Sequence, residues 1–130
     1  MIVSSLRMKL YAPNCHSLKD KRMIVKSLIN RTRNKFNVSI AEIEEQDYYQ
    51  TIVIGAACVS SSKVQANAVL DEVMRFIEGN TDAEITDFLF EDRWKNKDLL
   101  KIKVFVFKRE KENVNNLVYG SKEILLLGKN

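Results

Sequence analysis

Residues suited to bind a small ligand occur at two places in the chain, His16 and the segment 47–50. An imidazole and a carboxylate can share a proton, and a glutamine amide both donates and accepts hydrogen bonds. His16 also lies just before a predicted helix, whose free amides favour an anion. We therefore predict a ligand-binding edge formed by His16, Asp47 and Gln50. The alternative is structural, with His16 tethering its loop and Asp47 shaping a turn.

No convincing nucleophile accompanies these groups. Cys15 directly precedes His16, so their side chains tend to diverge, and a thiolate–imidazole pair would need an unusual turn. The acids of residues 42–47 occupy a polar segment, where exposed carboxylates rarely have the burial that general acid–base catalysis requires. We therefore expect a protein that is not an enzyme and that uses no cofactor.

The loop at residues 12–16 also lacks the residue types of two further functions. A soft-metal carrier needs two thiolates there, and this loop provides only Cys15. A phosphate-binding loop of the acylphosphatase type needs glycines whose amides surround the anion, whereas this loop has no glycine and contains Pro13. We expect neither a bound metal nor phosphate-ester chemistry.

A strongly basic segment is the clearest indication of function. Residues 16–36 carry seven basic side chains and one acid. On a helix of 3.6 residues per turn, four of the cations form a stripe beside the apolar face, which suits contacts to successive phosphates. The predicted RNA-binding residues are Lys19, Arg22, Lys26, Arg31, Arg33 and Lys35. The alternative is a solvated helix face whose long side chains cover the edge of the core.

The charge of the chain is segregated along its length. The net charge is +6 over residues 16–36, −10 over residues 37–92 and +6 over residues 93–130, within a total of +4. An acidic block of this size repels phosphates unless it faces away from them, so the orientation of the basic helix decides what the charge means. The third predicted strand has no aromatic side chain to stack a base, which places any RNA on the helix side.

The elements that position these residues follow from periodicity and capping signals. Ser17, with Asp20 three residues later, resembles a capping box at the start of the basic helix. In chain order we predict a strand over residues 2–11, a helix to about residue 35, strands at 38–42 and 51–59, a helix after residues 60–62 that stops at Gly79, and a strand over 83–90.

This βαββαβ order predicts an α+β, ferredoxin-like sandwich: an antiparallel four-stranded sheet with two helices on one face. The end of the first strand, the start of the first helix and the turn at residues 44–50 then share one edge of the sheet. That geometry should bring Cys15, His16 and Lys19 close to the turn.

A chain of 130 residues suits one hydrophobic core. We assign residues 1–92 to the ferredoxin-like domain and residues 93–130 to a basic C-terminal extension that packs on it or extends it. Residues 101–108 alternate like a fifth strand, whereas residues 117–127 fit either a strand or a short helix. The longest apolar run, residues 52–59, is too short to span a bilayer, and two cysteines cannot build a disulfide framework, so we expect a cytoplasmic protein.

Several linked sequence blocks resemble the YlxP-like family. The resemblance continues to about residue 92, and the tail departs from the family. It implies a small bacterial domain of ferredoxin-like fold without an established activity, whose genes neighbour those of translation and ribosome-maturation factors. The blocks are His16-Ser17-Leu18-Lys19-Asp20-Lys21-Arg22, Val25-Lys26-Ser27-Leu28, Arg31, Arg33, Phe36-Asn37-Val38-Ser39 and Ala41-Glu42, with Asp47, Gln50, Gly55 and Val59-Ser60 further on.

Three functions follow from these patterns. The first is a non-enzymatic module that binds structured RNA or a ribosomal particle through the basic helix. The second is a self-associating structural or regulatory protein, a homodimer in which the basic helix meets the acidic segment of another copy or a partner covers the open sheet face. The third is a small-ligand binder at His16 and Asp47.

Overall fold

One antiparallel sheet, covered on one face by two helices, accounts for the described chain. The computed structural model describes residues 1–96, 99–109 and 117–127, with side chains for residues 1–93. The strand order in the six-stranded sheet is β2-β3-β1-β4-β5-β6. The elements are β1 (Ile2–Tyr11), α1 (Leu18–Lys35), β2 (Ser39–Glu44), β3 (Thr51–Ser60), α2 (Lys63–Gly79), β4 (Glu84–Asn96), β5 (Leu99–Arg109) and β6 (Leu117–Leu127).

Strand β1 lies between β3 and β4 and shows the alternation that the sequence predicts. Leu6, Met8 and Leu10 are buried in the core beneath the helices. The residues between them, among them Arg7 and Lys9, point to the opposite face and are only partly buried. The central strand therefore separates a packed face from an open face of the sheet.

Both helices begin at predicted caps. The Ser17 hydroxyl accepts a hydrogen bond from the Asp20 amide at 3.1 Å, and Ser62 accepts one from the Gln65 amide at 3.4 Å. Helix α2 ends at Gly79 with Asn80 as its C-terminal cap, as the sequence predicts. The buried positions of α1 are Lys21, Val25, Leu28 and Thr32, and those of α2 are Ala66, Leu70, Val73 and Ile77.

The first six elements confirm the predicted ferredoxin-like α+β class, with βαββαβ order and the four strands arranged β2-β3-β1-β4. One feature differs from the prediction, because strand β4 continues to Asn96 instead of ending near residue 90. Residues 117–127, for which the sequence left a strand and a short helix open, form a strand paired with β5.

The β2–β3 hairpin is irregular. Ile43 is bulged out of the ladder, because Glu42 pairs with Ile54 while Glu44 pairs with Val53. The side chain of Ile43 crosses Gly55 so closely that a Cβ at residue 55 would lie 3.0 Å from its Cδ1 atom. Glu45 then adopts a left-handed backbone conformation, with φ of 57°. This turn therefore needs support from elsewhere in the molecule.

Within the part of the chain that the structure describes, neither helix is long and apolar enough to cross a membrane.

Candidate nucleic-acid interface

The six predicted RNA-binding residues lie on two sides of α1, outside its buried positions. All of them are exposed: Lys19, Arg22, Lys26, Arg31, Arg33 and Lys35. None forms an ion pair with a carboxylate whose side chain is described; the cations that do so include Arg7, Lys21, Arg75 and Arg93. We call these six exposed residues the cationic surface. Its charge is left for solvent, counterions or a partner.

The cationic surface has two flanks. At 100° per residue, Lys19, Arg22, Lys26 and Arg33 form one stripe, roughly 21 Å long at a rise of 1.5 Å per residue. Arg31 and Lys35 lie on the flank that faces α2. The Lys35 ammonium sits 4.9 Å from the centre of the Phe76 ring of α2, a cation–π distance. Arg33 donates a hydrogen bond to the carbonyl of Ile40 at 3.1 Å, which orients its guanidinium.

The seventh base of the segment, Lys21, does not belong to this surface, because its side chain is 0% exposed. Its Nζ donates a hydrogen bond to the Glu45 carbonyl at 2.5 Å and lies 3.3 Å from Glu42 Oε2. The second contact is an ion pair by distance but lacks hydrogen-bond geometry, so Glu42 Oε2 has no hydrogen-bond partner among the described atoms. Lys21 thus ties the acidic hairpin to the first turn of α1.

Sequence reasoning counted Lys21 among the basic residues of the helix without giving it a role. A signal was available, because Lys21 continues the four-three-four spacing of the buried positions Val25, Leu28 and Thr32. A lysine at such a position is fully buried only if its ammonium finds a partner. That partner lies on β2 and the following turn.

The predicted ligand edge is assembled in part. The side-chain amide of Gln50 donates to the backbone carbonyls of Pro13 and Cys15, each at 3.4 Å. The backbone carbonyl of Gln50 accepts a hydrogen bond from the backbone amide of Ala12 at 2.8 Å. The hairpin therefore does meet the β1–α1 loop. His16 and Asp47 are exposed, and neither side chain forms a hydrogen bond or an ion pair with another described residue. Binding at this edge stays a prediction.

The open face of the sheet carries charges of both signs. The Arg7 guanidinium holds the Glu44 carboxylate with two hydrogen bonds, at 3.1 and 2.6 Å, and these bonds lower the pKa of Glu44. Arg93 pairs with Glu91 at 2.8 Å. Between the pairs the small residues of β1, β2 and β3 leave a shallow depression of about 390 Å³. A face with paired charges offers a polyanion little attraction, in contrast to the cationic surface.

Three further ionisable side chains, Asp92, Cys15 and Cys58, are buried or partly buried. Asp92, 1% exposed, accepts hydrogen bonds from the Ser4 hydroxyl at 2.7 Å and the Asn67 amide at 3.0 Å. Burial raises the pKa of the neighbouring Cys58 thiol, and the Asp92 charge adds to that effect. Cys15 is buried beside the first turn of α1, and its thiol contacts the Ser17 carbonyl. Both cysteines are free thiols.

Across the described side chains, no three His, Cys, Asp or Glu residues lie close enough to share a metal ion.

Comparison with known proteins places this arrangement in a family. Residues 3–89 match the family described as protein of unknown function (DUF503). One relative, the uncharacterized protein YlxP of Bacillus subtilis (strain 168), is 47% identical over 70 residues, which cover 54% of this chain and 76% of YlxP. The family match includes α1 and α2 and ends within β4, before β5 and β6 begin. Because the match covers more than half of the chain, this protein belongs to the DUF503 family, and its predicted relation to YlxP is confirmed.

Proposed function

We propose that this protein is a non-enzymatic cytoplasmic module that docks on structured RNA or on a ribosomal particle through the cationic surface of α1. The observation that carries the proposal is the set of six exposed cations on one helix without a described carboxylate partner. Clustered cations release counterions from a phosphate backbone when they bind it, which makes binding favourable and sensitive to salt.

The distribution of acids indicates which part of the helix binds. Lys21 holds the acidic hairpin against the N-terminal turn of α1, so carboxylates accumulate at that end. Arg31, Arg33 and Lys35 lie at the other end, where arginine and lysine also complement the helix dipole. We therefore propose that docking centres on the C-terminal half of α1. The competing explanation is that these cations are only solvated by water and stabilise the helix dipole, without binding a partner.

A matched pair of double variants separates these explanations. The Lys26→Gln/Arg33→Gln variant of α1 should lower the magnitude of the salt slope of RNA binding by about 1.5–2, since each phosphate contact contributes roughly 0.7–1. The Lys63→Gln/Arg75→Gln variant removes the same charge from α2 and should leave the slope unchanged. Fluorescence anisotropy with ribosomal RNA fragments, and co-sedimentation with ribosomal subunits at about 50–200 mM KCl, give the measurement.

Association that is absent, or that does not depend on salt, would count against the proposal. Equal losses in the two double variants would also do so, because they would reflect net charge rather than a surface on α1.

A second candidate function is self-association through the open sheet face. Its support is the depression between the Arg7–Glu44 and Arg93–Glu91 pairs, since a face of balanced charge suits a second copy of itself. Sedimentation equilibrium at micromolar concentration should then give a dimer. Ala57→Arg, which places a cation in the depression, should give a monomer, whereas Ala68→Arg at an exposed position of α2 should not. A wild-type monomer under these conditions removes this candidate.

A further inference from the structure

A cleft of about 500 Å³ opens beside the cationic surface. Its walls are the β1–α1 loop, the α2-facing flank of α1 and the loop between α2 and β4. Buried or half-buried apolar side chains, Ala12, Ile24, Leu28 and Ala83, line part of it. This volume lies within the range of about 300–1,000 Å³ that is usual for small-molecule sites.

Polar groups with unused hydrogen-bonding capacity surround this apolar lining. Arg31 and Asp82 are exposed, and neither forms an ion pair with a described residue. The side chains of Asn14 and Ser27 also make no hydrogen bond to any described atom. The cleft therefore offers a cation, an acceptor-only carboxylate and two groups that donate and accept. That combination suits a flat ring with a polar edge and a nearby anion.

We propose that the cleft holds one unstacked nucleotide of the RNA that docks on the cationic surface. The base lies against Ile24 and Leu28, its polar edge meets Asn14, Ser27 and Asp82, and its phosphate meets Arg31. The inference rests on the proposed function, because Arg31 belongs both to the cationic surface and to the cleft. This shared residue favours a nucleotide within a chain over a free small anion, since the same surface attracts the adjoining phosphates.

Recognition of this kind selects for RNA that can release a base. A fully paired duplex keeps its bases stacked, whereas loops and bulges can present one to a pocket. We expect the protein to bind an RNA hairpin with an unpaired loop about five- to tenfold more tightly than a duplex of equal length, the gain from one or two added hydrogen bonds.

The Ser27→Leu variant tests the cleft directly, because its larger side chain occupies the opening from the middle of α1. The affinity of this variant for the RNA hairpin should fall to its affinity for the duplex, while its affinity for the duplex stays as in the wild type. Asn30→Leu, on the exposed side of the same helix, is the matched control and should keep the loop preference. Circular dichroism and urea unfolding verify that both variants are folded.

Photo-cross-linking of the wild-type protein gives a second measurement that needs no variant. A 4-thiouridine in the RNA loop should cross-link to residues 12–31 or 80–83, located by mass spectrometry of the digested protein. Cross-links only to other segments, or a Ser27→Leu variant that retains the loop preference, overturn the inference. Loop and duplex bound equally, with salt dependence intact, reject the cleft alone, whereas binding of neither rejects the proposed function.

Discussion

Replacing Lys21 with methionine should lower the free energy of unfolding by about 3–5 kcal/mol, the range for removing one partner of a buried ion pair. The ammonium is fully buried, and the Lys21→Met change leaves Glu42 Oε2 without its cation. It also removes a hydrogen bond to the Glu45 carbonyl, which, among the described donors, then keeps the Tyr48 amide at 3.1 Å. Glu45 is in a left-handed conformation, and without Lys21 its turn loses the hydrogen bond that fixes it to α1.

Urea unfolding followed by circular dichroism measures this effect through the transition midpoint. Lys19→Met is the matched control on the same helix, and since Lys19 is exposed and unpaired it should change stability by less than about 0.5 kcal/mol. Lys21→Met combined with Glu42→Gln should cost less than Lys21→Met alone, because the uncompensated carboxylate is gone. A Lys21→Met variant as stable as the wild type contradicts the anchoring role.

Replacing Asp92 with alanine is the second change with a large expected effect, a loss of about 2–4 kcal/mol, since a buried donor left without an acceptor costs about 1–3 and a half-buried donor loses a hydrogen bond worth roughly 1. The donors are the Ser4 hydroxyl of β1 and the Asn67 amide of α2. Asp92 therefore joins β4 to the central strand and to the second helix at a point where all three elements meet.

Asp92→Asn should cost less than Asp92→Ala, because the substituted amide accepts from Asn67 with its oxygen and donates to the Ser4 oxygen with its nitrogen. Glu72→Ala, at an exposed position of α2, removes a carboxylate without a buried partner and should change stability by less than about 0.5 kcal/mol. Thermal and urea unfolding of the three variants give the order. Equal stability of Asp92→Ala and Glu72→Ala would show that the buried hydrogen bonds contribute little.

The first two elements were predictable because local patterns decide them. The alternation of residues 2–11 reports which side of β1 is buried, and Ser17 with Asp20 marks the start of α1 within one residue. The exposure of the predicted RNA-binding residues followed from the same helical geometry. Whether that surface binds RNA is a question about a partner, which no pattern within the chain answers.

Features that depend on distant parts of the chain were not predictable. The spacing of the buried positions on α1 marks Lys21, but local periodicity does not identify its distant partners, Glu42 and the Glu45 carbonyl. Strand β4 was predicted to end near residue 90, yet pairing with β1 as far as Trp94 and with β5 as far as Asn96 keeps the following residues extended. Strand pairing also decides the structure of residues 117–127. Their apolar run fits a helix or a strand by periodicity alone, and pairing with β5 makes it a strand.

Pairing with β5 also changes where the described sheet ends. Since β4 is bonded on both sides, unpaired backbone amides and carbonyls remain along β2 and β6 only, among the described strands. At β2 the bulge at Ile43, flanked by Glu42 and Glu44, makes a poor template for an added chain. Strand augmentation by another polypeptide would therefore begin at β6, at the far side of the sheet from the hairpin that Lys21 anchors.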